Sequence, residues 1–390
     1  MEPKGGPTRM RLFASLAVLV FAGCHCGGGA IPEVPPAVVV PPGAPSVRVL
    51  LRRDADVLRV SCDTTLLSSG RTWEAGTELE VRADGGTVVA GGLRAGRIEF
   101  SAVADGTLRL DGRRYRGRFV VTAVDGRLRL VNVLPMESYL AGVVGREMSP
   151  SFCMEALKAQ AIAARTYALD RMRSSKNKDH DITTGQEAQV YGGVDGESDG
   201  VRRAVGETAG EVLHYDGKIF PAFYHSTCGG RTSAAWFVFG DDRRVRIPPL
   251  RGGVECTYCK ESPRYEWTVR LSQRDALKIL KKAGHGVSVV KEMTPIKTDG
   301  HGRCRAVEFQ TEKGLLALPA GKFRAFSPVP VHSTRMTIRK EGDAFVVEGH
   351  GWGHGVGMCQ WGAQGMAEMG FSAREILGFY YPESRVVRIY

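Results

Sequence analysis

The sequence predicts an α+β protein: a β-rich N-terminal segment, then a mixed-sheet domain with an Ala-rich helix and a glycine-rich C-terminal loop. Three observations predict it. Short apolar alternations broken by Asp-Gly pairs fill residues 47–133. Apolar residues recur at three- and four-residue spacing from Met154 to Met172, and glycines crowd Gly349 to Gly357. Period two is the mark of a strand with one buried face, and period 3.6 that of an amphipathic helix. Of the 390 residues 43% are hydrophobic and 24% charged, which suffices for a core and excludes a mainly disordered chain.

Taken in order, the chain opens on an export signal. Lys4, Arg9 and Arg11 precede an apolar run from Leu12 to Ala22 that is too short to span a bilayer. Phe21-Ala22-Gly23-Cys24 is similar to a bacterial lipobox, with the Cys24 thiol as the lipid acceptor, so residues 1–23 read as a lipoprotein signal peptide. Residues 24–46 hold Pro32, Pro35, Pro36, Pro41, Pro42 and Pro45, a composition that makes an extended, semi-rigid tether. From 47 to 130 short strands are expected. Val47, Val49 and Leu51 alternate, as do Phe119, Val121 and Ala123, and hairpin turns are expected at Asp84-Gly85, Asp105-Gly106, Asp111-Gly112 and Asp125-Gly126.

Residues 131–390 read as the second domain. Met154, Leu157, Ala161, Ala164, Ala168 and Met172 place a helix, with Ser149 or Ser151 as N-cap and Arg171 to Asp179 as its charged exit loop. Strands are expected at Gln189–Tyr191 and Glu211–Tyr215, and a last helix after Ser372 that buries Ile376 and Leu377. Lys plus Arg is 53 against 42 for Asp plus Glu, a net charge of +11 that favours an anionic partner. No run of five basic residues occurs, which argues against nucleic acid, and no Gly-Lys-Ser/Thr follows the C-terminal glycines, which argues against a phosphate loop.

Several motifs stand in a fixed order: Val131 to Leu140, Gly142-Val143-Val144, Glu147-Met148, Met154 to Ala161, Ala163 to Tyr167, Gln189-Val190-Tyr191, Tyr224 to Gly230, Gly351 to Met358 and Gln360 to Ala363. Together they resemble the stage II sporulation protein D family of peptidoglycan lytic transglycosylases and their amidase-enhancer relatives, over about 130–390. The resemblance implies cleavage of the MurNAc-β-1,4-GlcNAc bond on peptide-poor glycan strands, leaving 1,6-anhydroMurNAc ends. It implies that Glu147 is the catalytic acid/base and needs no cofactor. It also implies that Tyr191, His225, Ser226 and Thr227 line the substrate groove, with Gln360 a further candidate. In the glycine-rich segment and just after it, Trp352 and Trp361 are candidates to stack on sugar faces and His354 to hydrogen-bond a sugar hydroxyl or orient Glu147, a tightly packed loop with buried aromatics being the competing reading. The chemistry suits a lone carboxyl. It protonates the leaving oxygen, then takes the proton of the muramic acid's own 6-hydroxyl. Such an acid must start protonated, which burial in an apolar cleft provides. A surface or helix-capping glutamate is the competing reading of Glu147, and a non-catalytic peptidoglycan-binding enhancer of a separate amidase is the competing reading of the protein.

Nine cysteines remain to be placed. Cys256-Thr257-Tyr258-Cys259 has zinc-knuckle spacing, and His225 and Cys228 add two ligands for a structural Cys3His zinc site, with disulfides as the alternative. Zinc-bearing relatives place a cysteine and a His-Cys pair just before the Gln-x-Tyr motif. Those ligands are missing here, so that site is not carried over. The expected partners are peptidoglycan strands, a membrane reached through the lipid at Cys24, and another wall hydrolase. The expected location is the bacterial cell envelope.

Overall fold

Valine, isoleucine, leucine and phenylalanine on alternate positions of residues 46–135 bury one face of most of the strands, and two sheets result. A computed structural model describes residues 36–185, 189–240 and 242–390. Cys24 and the signal segment lie outside the described residues. One sheet has seven strands, in the order Ile182–Thr183, Ser46–Ala55, Arg127–Pro135, Arg118–Val124, Arg97–Ala102, Leu66–Ser68, Arg71–Trp73. The other has six, with Val57–Cys62 and Leu79–Asp84 at its centre. Their inward faces, among them Val60, Val81, Val88, Phe100, Phe119 and Leu130, belong to one hydrophobic core. Val38 is buried and the Pro45 carbonyl accepts from the Met136 N–H at 2.9 Å, so the described end of the Pro-rich stretch packs on the body.

Three of the four Asp-Gly pairs make hairpins. At Asp111-Gly112 and Asp125-Gly126 both residues have positive φ, the conformation whose twist matches that of the flanking strands. Asp105-Gly106 does not make one: the strands it joins, Arg97–Ala102 and Leu108–Leu110, belong to different sheets. The glycine serves close approach there, since a Cβ at Gly106 would stand 2.1 Å from Thr64 Oγ1.

Among the described residues eight α-helices follow: α1 (Met136–Glu147), α2 (Met154–Ser174), α3 (Asp199–Glu207), α4 (Ala235–Phe239), α5 (Gln273–Lys282), α6 (Ala320–Phe326), α7 (Gln360–Glu368) and α8 (Ala373–Tyr380). The alanines of α2 let it sit fully buried from Ala156 to Ala168, Lys158 apart. Its N-cap is Cys153 rather than a serine and makes no side-chain cap bond, and the helix runs on through Arg171 to Ser174. Ser372 caps α8 in a capping box with Glu375, and Ile376 and Leu377 are buried, as the spacing predicts. The strand expected at Glu211–Tyr215 forms. That expected at Gln189–Tyr191 does not: Gln189 makes one isolated bridge to Thr184 while Val190 and Tyr191 are irregular.

Residues 267–347 build a second hydrophobic cluster around Leu271, Ile279, Phe309, Phe323 and Phe345. It leaves the first body at Glu266 and returns at His350, and these two residues face one another across an antiparallel ladder. None of the helices among the described residues is long and apolar enough to cross a membrane.

One buried ion pair holds the helices together. Arg165 of α2 and Glu137 of α1 have fully buried side chains, with Nη2 to Oε2 at 2.6 Å and Nε to Oε1 at 3.0 Å. The Glu211 carbonyl accepts from Arg165 Nη1, and Glu137 Oε1 accepts from the Gly210 N–H and the Tyr390 hydroxyl. Glu137→Ala strands the guanidinium without its counter-charge, and we expect it to lower unfolding stability by about 3–5 kcal/mol in urea titrations. A loss under 1 kcal/mol would show the pair to be dispensable.

Candidate active site

Two glycines on α1 set up the site. A Cβ at Gly142 would lie 2.7 Å from the Tyr191 ring and 2.8 Å from the Gly193 carbonyl, and one at Gly145 would lie 2.1 Å from the Gly196 carbonyl. Their absence lets the 190–196 segment press onto the helix, with the Gly192 N–H donating to the Gly142 carbonyl at 3.0 Å. Gln189 anchors the segment's other end. It accepts from the Tyr139 hydroxyl at 3.0 Å and donates to the Ala164 carbonyl and the Tyr224 hydroxyl. The Val190 N–H is thereby aimed at Glu147 Oε1, 2.8 Å away.

Glu147 ends α1 and lines a cleft of about 650 Å³. Burial pushes its carboxyl above the ordinary range, and the Val190 N–H pulls the other way. Its place at the negative end of a helix dipole also disfavours the charged form. Among the described residues Oε2 has no hydrogen-bond partner, and Glu147 is the one carboxylate among the cleft-lining residues. The phenols of Tyr139 and Tyr224 are raised well above their usual range, chiefly by burial and next by the charge of Glu147.

The cleft gathers segments far apart in the chain: Arg146 and Glu147 of α1, Tyr167 and Arg171 of α2, Val190, Phe223 to Ser226, Phe239, Arg324, Trp352 to His354, and Gln360. Ser226, Trp352, His354 and Gln360 thus come together with Glu147. Trp352 is 44% and Phe239 48% exposed, so two aromatic faces are open to a ligand. Phe239 also packs on Phe223 at 4.5 Å and on His354 at 5.1 Å between ring centroids.

Two expected groove residues lie elsewhere. Tyr191 is buried against Tyr115 and Tyr139, and its hydroxyl donates to Asn132 Oδ1 at 2.9 Å. Thr227 is fully buried and shares a hydrogen bond with Ser262 at 2.6 Å. Both belong to the scaffold behind the cleft. Trp361, a candidate for sugar stacking, packs edge-on against Phe152 instead. His354 lines the cleft, but its Nδ1 accepts from the Val356 N–H at 3.0 Å and it also bonds the Tyr224 backbone. Burial, then the nearby His225, hold it neutral, well below the usual histidine range. It is a wall, not a free donor to Glu147.

The zinc ligand set also changes. His225 donates from Nδ1 to the Val356 carbonyl at 3.0 Å and belongs to the cleft. Its place beside Cys228, Cys256 and Cys259 is taken by Cys359, and the four sulfurs lie within 4.8 Å of one another. Strand pairing explains the swap: Tyr224–His225 runs parallel to Met358–Cys359 and brings Cys359 to the cysteines. Spacing within one segment carries no trace of a ligand more than a hundred residues away. Arg146, Tyr167, Arg171, Phe239 and Arg324 were likewise not singled out for the cleft, since each lies on a helix whose period reveals burial but not what the exposed end meets.

A half-buried carboxyl in a cleft walled by aromatics and arginines defines a candidate acid/base site. Two family models match, one described as stage II sporulation protein over 124–215 and one as a domain of unknown function over 255–357. Stage II sporulation protein D of Bacillus subtilis is 31% identical over 272 residues, covering 66% of this chain and 75% of that protein. An uncharacterized protein of Brachyspira hyodysenteriae is 38% identical over 276 residues, 70% of this chain and 72% of the relative. The amidase enhancer of Bacillus subtilis is 28% identical over 324 residues, 70% of this chain and 44% of the enhancer. The chain belongs to the stage II sporulation protein D family.

The raised carboxyl has a stability consequence. Its folded pKa lies above its unfolded one, so folding is favoured while it is protonated and loses that contribution as pH rises through the folded value. Glu147→Gln keeps an Oε1 for the Val190 N–H and cannot ionise. We expect it to be more stable than wild type at pH 7, with the difference vanishing as pH falls below the ordinary carboxylate range. Thermal melts across pH check this; a variant less stable at pH 7 would contradict it.

Proposed function

We propose that the protein is a peptidoglycan lytic transglycosylase with Glu147 as its single acid/base. The observation that carries this is the lone carboxylate, raised by burial, among the described residues of the cleft. Two-carboxylate hydrolysis needs a second, ionised carboxylate to activate water or attack the sugar. A lytic transglycosylase does not. Protonated Glu147 gives its proton to the glycosidic oxygen, and the bond from that oxygen to the MurNAc anomeric carbon breaks. The 6-hydroxyl oxygen of the same sugar bonds to that carbon, closing the 1,6-anhydro ring, and its proton returns to Glu147. No water is consumed and the acid is regenerated. Trp352 and Phe239 offer apolar faces for sugar rings. Arg146, Arg171 and Arg324 suit the lactyl carboxylates that MurNAc bears once its peptides are removed, which favours peptide-poor strands. Tethering at the envelope follows from lipid on Cys24, and the expected consequence is that Cys24→Ala moves the protein from the membrane to the soluble fraction in cell fractionation.

The likeness to an amidase enhancer favours a second reading, a wall-binding partner of another hydrolase with no chemistry of its own. Digestion of naked glycan strands separates the two. Wild type should leave 1,6-anhydro ends detectable by mass spectrometry, and Glu147→Gln should be slower by at least about 10²–10⁴-fold. Activity should fall as pH rises through the raised Glu147 value, because the acid form starts the reaction. Anhydro ends formed equally fast by Glu147→Gln would remove Glu147 from the mechanism, and none from wild type would leave the enhancer.

A further inference from the structure

We propose that Cys228, Cys256, Cys259 and Cys359 hold one zinc ion as a closed tetrathiolate site, and that this ion fixes the rear wall of the cleft. The four cysteines are buried, and their sulfurs all lie within 4.8 Å of one another. Cys228 and Cys259 sulfurs are 3.5 Å apart. Zinc bonded to sulfur at about 2.3 Å in a tetrahedron sets sulfurs about 3.8 Å apart, whereas a disulfide needs about 2 Å.

A second observation points the same way. Hydrogen-bond donors converge on these sulfurs. The Cys228 and Gly362 N–H groups each reach Cys359 Sγ at 3.3 Å, and the Gly230 N–H reaches Cys259. The Tyr380 hydroxyl lies 3.0 Å from Cys256 Sγ. Thiols are weak acceptors; thiolates on a metal are strong ones, and such donors spread the excess negative charge of four thiolates around a divalent ion. Gly362 is part of the cage. A Cβ there would come within 2.7 Å of Cys256 Sγ and 1.9 Å of the Tyr380 hydroxyl. Four protein sulfurs leave no open position, so the ion is structural, and an all-sulfur tetrahedron selects zinc or iron among the common metals.

The ligands explain what the ion does. Cys228 follows Ser226 by two residues, and Cys359 directly precedes Gln360; both neighbours line the cleft. The strands that carry them, Tyr224–His225 and Met358–Cys359, are two residues long, too short to hold their register alone. The Cys256-x-x-Cys259 knuckle ties both to the segment that leads into the 267–347 unit. Removing the ion frees Ser226, His225 and Gln360 together. The inference does not rest on glycan cleavage, and its readouts are separate from it.

The test uses full-length protein purified without added metal. Mass spectrometric metal analysis should find about one zinc per chain. Exchange with cobalt(II) should give the ligand-field and thiolate charge-transfer bands of a tetrahedral tetrathiolate. Cys359→Ser should weaken zinc binding by at least about a hundredfold in competition with a chromophoric chelator, beyond what loss of an outer partner costs. Cys62→Ser and Cys304→Ser, buried outside the cluster, should keep it. Should Cys359→Ser fail to fold, the wild-type cobalt spectrum decides alone. Iron in place of zinc, a cobalt spectrum without four thiolates, full zinc affinity in Cys359→Ser, or metal-free protein whose four cysteines resist alkylation as disulfides would each overturn the proposal. A zinc protein that leaves glycan intact supports the metal site and counts against the role of Glu147 alone.

Discussion

The Glu137–Arg165 pair is the constraint on which the site depends. Both side chains are fully buried, so each charge has lost its water, and further hydrogen bonds to the pair offset that cost. Those bonds come from four places: the end of α3 at Val205, the turn at Gly210, the strand at Glu211 and the C-terminal residue Tyr390. A buried network of this kind admits one arrangement and penalises all others. It therefore fixes the start of α1 against the middle of α2. Glu147 stands ten residues further along the same helix, about 15 Å away at 1.5 Å per residue.

The two glutamates of α1 show how environment divides the work of one residue type. Glu137 sits in the first turn, where the helix dipole favours negative charge, and has an arginine in bidentate contact. Glu147 sits at the last residue, where the dipole opposes charge, and receives one backbone N–H. The first joins α1 to α2. The second has its carboxyl pushed above the ordinary range by burial. The Val190 N–H keeps the carboxyl in place without fully stabilising the anion. Glycines at 142 and 145 are what bring that N–H within reach.

How much of this was legible follows from the range of each signal. Local periods placed α2, α8 and the strand at Glu211–Tyr215, and Asp111-Gly112 and Asp125-Gly126 marked true hairpins, because such features are decided within ten residues or so. Asp105-Gly106 looked the same and joins two sheets, since a turn dipeptide states the local φ and not which sheet the next strand enters. In the site, Glu147, Ser226, Trp352 and Gln360 were legible through motif order alone. Tyr191 and Thr227 sit in the same motifs yet hold the scaffold, because a motif groups residues that serve a site with those that support it. Cys359 was not legible: nothing in its own segment marks it, and only the parallel pairing with Tyr224–His225 brings it to the other three.

That pairing also explains how a cleft can be built across a large insertion. The 267–347 unit departs and returns through facing residues, Glu266 and His350, so to the rest of the chain it acts as a closed loop of almost no span. Loop closure costs rise only slowly with length, so the size of the unit matters little once its ends are pinned together. What matters is the register on either side of it. Cys256 and Cys259 lie just before the exit and Cys359 just after the return, so the cysteine cluster sits where the inserted unit joins the rest of the chain. The unit contributes Arg324 to the cleft wall in turn. An independent core can therefore supply a cleft-lining side chain while Glu147, the aromatic face at Trp352 and Gln360 stay referenced to α1 and α2.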